Sequence, residues 1–180
     1  MPKGVMYKHG SFIASMLKTA FAMGFDVPEE IKDLDQAILD SKNNQNLPVS
    51  LPACPLMHGT GMWLGAYLPM FGGGSVVTIS DLGLNPNKVW SEVERCKVNS
   101  LVIVGDAFAK PLLEGLKDSI SKGKAYDISS LRAMISSGVM WSAEIKAGLL
   151  ELHDMTLFDA MGSTEGGMGA AVSNRELPAK

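Results

Sequence analysis

Leu101-Val102-Ile103-Val104 is a run of four apolar residues, three of them β-branched, set between Asn99-Ser100 and Gly105-Asp106. A run this short with no polar alternation fits a strand covered on both faces, the pattern of a parallel sheet packed between helices. Outward from it, short apolar runs and longer amphipathic segments alternate in both directions. Strands are expected over 51–56, 75–80, 101–104, 131–136 and 155–161, with helices over 61–71, 86–97, 108–120 and 143–152 between them. The implied fold class is α/β: a doubly wound, mainly parallel sheet of about five strands with helices on both faces. Right-handed crossovers then gather the strand carboxyl ends on one edge, where open α/β sheets bind ligands.

The amino-terminal third is less regular. A helix beginning near Ser11 places Phe12, Met16, Leu17 and Ala20 on one stripe and is expected to stop around Gly24. Residues 26–47 are charged and polar, with a helix-start pattern at Pro28-Glu29-Glu30, and form an expected surface excursion carrying one short helix. A length of 180 residues suffices for a single α/β domain over 1–180.

Composition excludes several function classes. With 46% apolar and 19% charged residues the chain is globular rather than disordered. A net charge of −3 with both signs interspersed leaves no basic stripe, so no nucleic-acid partner is expected. Residues 43–80 carry no Asp, Glu, Lys or Arg, but Pro48, Pro52, Pro55, Pro69 and Gly72-Gly73-Gly74 interrupt them, which argues for a buried core and against a membrane span. No apolar segment with a cleavage site follows Met1-Pro2-Lys3-Gly4, so a secretory signal is not expected and a cytoplasmic location is. Cys54 and Cys96 lack a CxxC partner, and His9, His58 and His153 fit no metal spacing. Inert thiols are the expectation.

Four segments at or near the ligand-binding edge are chemically unusual: Pro2-Lys3-Gly4-Val5, Pro55-Leu56-Met57-His58-Gly59-Thr60-Gly61, Ser136-Ser137-Gly138-Val139, and Asp159-Ala160-Met161-Gly162-Ser163-Thr164-Glu165-Gly166-Gly167. Taken singly, a glycine after a strand serves a turn as readily as a ligand cradle. In the last segment, hydroxyl and amide groups suit phosphate oxygens. A lone carboxylate beside them suits a magnesium ion shared with substrate phosphates, although Thr164 and Glu165 also fit an ordinary surface turn. Two other motif assignments fail. Gly167-Met168-Gly169 has no following helix to make a dinucleotide fingerprint, and His58-Gly59-Thr60-Gly61 has no G-x-S-x-G partner to make an esterase.

Together and in order, these segments resemble the adenylate-forming superfamily of acyl-CoA synthetases, luciferases and peptide-synthetase adenylation domains. Pro2-Lys3-Gly4-Val5 is similar to the tail of its phosphate loop, with His9 where a family His follows. Pro55 to Gly61 resembles the P-x-x-H-x-x-G element whose His, here His58, borders the acyl pocket. Ser136 to Met140 stands where the family has a Gly-Gly-Ala-Pro-like adenine-contacting turn, and Met161 to Glu165 resembles Tyr-Gly-x-Thr-Glu. The wording Val104-Gly105-Asp106-Ala107-Phe108 and that around Trp141 is similar to a bacterial branch acting on fatty or sterol side-chain acids. Two departures stand out: Met161 replaces the aromatic that commonly stacks on adenine, and Ser137, Val139 and Met140 alter the adenine turn.

The resemblance covers essentially the whole chain and implies a central subdomain of the acyl-CoA synthetase amino-terminal domain. It implies attack of a carboxylate on the α-phosphate of ATP, then transfer of the acyl group from the adenylate to CoA. The implied nucleotide contacts are Lys3, Gly4, Ser137, Gly138, Val139, Asp159, Ala160, Met161, Gly162, Ser163 and Thr164. Thr164, Glu165 and His58 carry the catalytic roles, with Glu165 toward magnesium. The implied cofactors and partners are ATP, Mg2+, CoA, a carboxylic acid, and amino- and carboxyl-terminal parts of the same enzyme, without which the 180-residue chain is expected to turn over negligibly. A homo-oligomer is left open. A non-catalytic nucleotide- or acyl-binding module, or an excised structural domain, is the alternative.

Overall fold

The computed structural model describes residues 4–22, 27, 28, 30–81, 83–163 and 166–179. Its centre is a six-stranded sheet in the order β2-β1-β3-β4-β5-β6, where β1 is Val49–Pro52, β2 Ser75–Val76, β3 Ser100–Ile103, β4 Ala133–Ser137, β5 Thr156–Ser163 and β6 Gly166–Ser173. The pairings from β2 through β5 are all parallel, so the expected five-strand parallel sheet is present. β6 is antiparallel to β5 and extends the sheet to six strands. It escapes a propensity reading because Gly166-Gly167-Met168-Gly169-Ala170-Ala171 is depleted in strand-favouring side chains. Its backbone pairing with β5 overrides that composition.

Alternate residues of the central strands point to opposite faces, and each face has its own helices. Leu51, Leu101, Ile103, Met134 and Leu157 join one core with Val89, Trp90 and Val93 of α4 (Pro86–Cys96). Leu112, Leu113 and Leu116 of α5 (Gly105–Ser121) and Leu149 of α6 (Ala143–Leu152) complete it. Val102, Ala133, Ile135 and Phe158 form the opposite core with Met16, Leu17 and Ala20 of α1 (His9–Ala22). Period-2 alternation with both faces apolar is why Leu101-Val102-Ile103 reads as an unbroken hydrophobic run. The indole of Trp90 donates to the carbonyl of Leu112 at 2.9 Å, so the largest buried side chain leaves no polar atom unpaired.

Several boundaries differ from expectation for local reasons. The strand expected over 51–56 is β1, which ends at Pro52; Pro55 in the apolar run beyond it cannot donate to a ladder. The one expected over 75–80 keeps only Ser75–Val76 at the sheet edge, and the helix expected over 108–120 begins at Gly105. The expected helix over 61–71 is a π-helix, Thr60–Tyr67, running into the short α3, Leu68–Phe71. Within 26–47, where the helix-start pattern lies at Pro28-Glu29-Glu30, the chain holds a 3-10 turn, Ile31–Asp33, and the short helix α2 only from Leu34 to Asn43. Gly24 lies outside the described residues.

This strand order fixes where a ligand would sit. From β1 the chain crosses outward to β2, then returns to the other side of β1 to lay down β3. The strand order therefore reverses between β1 and β3, and the crevice outside the carboxyl ends at such a reversal is the general binding position of open α/β sheets.

Candidate functional site

The residues that leave β1 are Ala53-Cys54-Pro55-Leu56-Met57-His58, and they turn back at once. The amide of His58 donates to the carbonyl of Pro55 at 3.1 Å, and the amide of Thr60 donates to Nδ1 of His58 at 3.3 Å. With Nδ1 accepting, the neutral ring carries its proton on Nε2. Gly61 closes the element because a Cβ there would lie 2.4 Å from the Pro55 carbonyl oxygen. The spacing P-x-x-H-x-x-G thus records a steric requirement as well as a chemical one.

The second element leaves β4. Gly138 has φ +97, a region side chains rarely enter, so the turn after Ser137 needs glycine. A Cβ built on Gly138 would lie 3.7 Å from Cε1 of His58 and 3.9 Å from Oγ1 of Thr60. Two segments eighty positions apart in the chain therefore meet at the switch-point edge. Around them Met57, Val139, Met140 and Met161 are exposed, giving the edge an apolar, deformable rim.

The other expected site residues fall as follows. Gly4 is exposed, with open space where a Cβ would point, while Lys3 lies outside the described residues. The segment after Gly4 nonetheless reaches the His58 element: Tyr7 and Phe12 each place their rings 5.8 Å from Trp63 of the π-helix. Asp159, Ala160, Met161, Gly162 and Ser163 belong to β5 and pair with β6, so the strand expected to end at 161 runs on to Ser163. Ala160 packs against the α1-side core, and Asp159 is held in an ion pair with Lys146 at 2.7 Å. Thr164 and Glu165 lie outside the described residues, in sequence between Ser163 and Gly166, which are paired to one another.

No group of three His, Cys, Asp or Glu side chains among the described residues could hold a metal ion. Cys54 is buried, and burial pushes its thiol up to about 11, which keeps it protonated and unreactive at neutral pH. Among the described residues no helix is long and apolar enough to cross a membrane.

A groove of about 570 Å³ lies elsewhere, at the amino ends of β4 and β5 beside Arg132, His153 and Arg175. Its polar groups are already used. Arg175 donates to the carbonyls of Leu150 and Glu151 at the end of α6, and His153 Nε2 bonds the Leu131 carbonyl at 2.7 Å. Strand topology and the convergence of His58 with Gly138 make the opposite edge the candidate site.

Sequence reading missed the supports beneath the edge. Asp106 and Trp141 lie in the stretches that resemble the fatty- or sterol-acid branch, but no spacing shows that the fold sets Asp106 against the 136–142 segment and Lys146 beside Trp141. A buried lysine in α6 is a weak signal that could have pointed to a partner carboxylate.

This chain belongs to the AMP-binding enzyme family, whose model matches residues 1–180. It is 34% identical over 170 residues to the medium/long-chain-fatty-acid–CoA/3-oxocholest-4-en-26-oate–CoA ligase of Mycolicibacterium smegmatis, covering 93% of this chain and 29% of that protein. It is likewise 34% identical over 181 residues to the 3-oxocholest-4-en-26-oate–CoA ligase of Rhodococcus rhodochrous, covering 98% and 31%. Among solved structures, a long-chain-fatty-acid–CoA ligase from Archaeoglobus fulgidus superposes with a TM-score of 0.70 at 19% identity, over 97% of this chain and 31% of that one. The chain thus spans about three tenths of the length of the relatives it matches.

Proposed function

We propose that this chain supplies the nucleotide- and acyl-binding edge of an adenylate-forming acyl-CoA ligase acting on a fatty or sterol side-chain carboxylic acid. The observation that carries the reading is the meeting of His58 and Gly138 at the carboxyl edge where the strand order reverses. The ligase activities by which the two 34%-identical relatives are named support the acid class and the transfer to CoA.

In this reading little covalent chemistry falls to the protein, and its residues act by holding two anions in line. The turn at Ser137, Gly138 and Val139 lines the adenine, with Asp159 through Met161 on the neighbouring strand. His58 borders the carboxylate's approach, with its Nε2–H free to donate. Thr164 holds phosphate oxygens, Lys3 and Gly4 approach the terminal phosphates, and Glu165 is the carboxylate that would hold magnesium. When bound, that ion neutralises triphosphate charge. The exposed apolar rim of Met57 and Met140 suits an apolar acyl chain or base.

The test is acid-dependent ATP–pyrophosphate exchange in the enzyme that carries this chain. Glu165→Ala is expected to abolish exchange with little change in melting temperature, whereas normal exchange in that variant returns Glu165 to an ordinary surface turn.

A further inference from the structure

We propose that Asp106 is a positioning residue for the nucleotide: it brackets the 136–142 segment from the neighbouring helix without touching the ligand. The inference rests on the reading that this edge binds a nucleotide.

β4 ends at Ser137 and α6 begins at Ala143, so the intervening turn is held by neither sheet nor helix. Its bonds come from the start of α5. The amide of Gly105 donates to the buried Oγ of Ser136 at 2.8 Å. The amide of Asp106 donates to the Met140 carbonyl at 3.1 Å, and Oδ1 of Asp106 accepts from the Ser142 amide at 2.9 Å. Two consecutive residues thus grip the segment at its beginning, near its apex and at its end. These are also two of the first amides of α5, which have no intrahelical partner.

The carboxylate has a specific task. Ser142 is the N-cap of α6, and its amide is the group that a Glu or Gln three residues on satisfies in a capping box. That position is Ile145, which has no acceptor. Asp106 supplies the acceptor from another helix, as a charge-assisted bond. Contact is tight enough to forbid a side chain at the hinge: Gly105 has φ +54, and a Cβ there would lie 2.5 Å from the Met140 carbonyl oxygen and 2.7 Å from Cγ2 of Val139. Above the bracket, Val139 and Met140 are exposed and Gly138 sits at φ +97, so the apex has little packing of its own to fix its shape.

The experiment measures amide hydrogen exchange and AMP titration on the 15N-labelled chain, with Leu113→Ala in the α5 core as a control for general destabilisation. Asp106→Ala is expected to accelerate exchange at Ser142 about tenfold or more and to weaken AMP binding about tenfold. Asp106→Asn keeps the acceptor oxygen and is expected to retain both. Leu113→Ala is expected to lower the melting temperature while leaving AMP affinity unchanged. If Asp106→Ala does not fold, Asp106→Glu, which keeps the charge but displaces the oxygen, is expected to weaken AMP binding, and undiminished affinity there overturns the proposal. Unaltered exchange at Ser142, unaltered affinity in Asp106→Ala, or equal loss of affinity in Leu113→Ala also overturns it. A wild-type chain that binds no AMP removes the nucleotide reading and this inference together; AMP binding indifferent to Asp106 removes only this one.

Discussion

Nζ of Lys146 lies 2.7 Å from Oδ2 of Asp159 and 5.3 Å from the centroid of the Trp141 ring, tying α6 to β5 directly beneath the 136–142 turn. Lys146 is buried and Asp159 is half-buried, so the pair is shielded from much of the solvent that screens surface ion pairs. It joins the helix that follows the 136–142 turn to the strand that pairs with β4.

Removing one partner strands the other. Lys146→Ala is expected to cost about 3 kcal/mol of stability, because the Asp159 carboxylate loses its counter-charge. The double variant Lys146→Met with Asp159→Leu is expected to recover much of that loss. Urea denaturation of the single and double variants checks this, and a single variant within about 0.5 kcal/mol of the wild type assigns the pair no more than a surface role.

Gly138→Ala separates backbone strain from collision. The nearest atoms to an added Cβ are 3.7 Å away, ordinary contact distance, so the cost comes from φ +97 alone. A loss of about 1–2 kcal/mol is expected, accompanied by weaker AMP binding because the turn must shift to relieve the strain. Unchanged stability together with unchanged affinity contradicts the assignment of this turn to the site.

Glu92 gives the fold a pH dependence. Arg95 Nε lies 2.8 Å and Lys88 Nζ 3.0 Å from its carboxylate, and these partners lower its pKa from the ordinary 4.5 to about 2. A carboxyl depressed in the folded state stabilises fully above its unfolded value and loses that contribution as pH falls through the folded value. The window here runs from about pH 4.5 down to about 2. Arg95 and Lys88 are largely exposed, which discounts the contribution to about 1 kcal/mol at neutral pH. Glu92→Gln is therefore expected to lose about that much at pH 7 and to match the wild type near the bottom of the window. A deficit that persists undiminished across it contradicts the pairing.

Most of the parallel sheet was legible because its strands are short, doubly covered and bounded by amphipathic segments. Leu101 to Ile103 and the whole of α6 show this directly. What failed was structure specified by neighbours. β6 is a strand through pairing with β5 despite its glycines and alanines, and the π-helix Thr60–Tyr67 has the same apolar pattern as an α-helix. The start of α5 was hidden because Gly105 and Asp106 resemble a loop until the 136–142 segment is placed against them. His58 and Gly138 were found as motifs, and the fold supplied their convergence. The motif position makes Asp159 an expected ligand contact, and the fold adds its partner, Lys146, from a helix that no spacing rule links to it.

The central claim is that nucleotide binds at the carboxyl edge between the His58 and Gly138 elements. Titration of AMP into the 15N-labelled chain, followed by amide chemical shifts, tests it residue by residue. The account predicts saturable shifts at Ser137 through Ser142, at His58 through Gly61 and at Asp159 through Gly162. No saturable shifts, or shifts clustered at Arg132, His153 and Arg175 in the opposite groove, would contradict it.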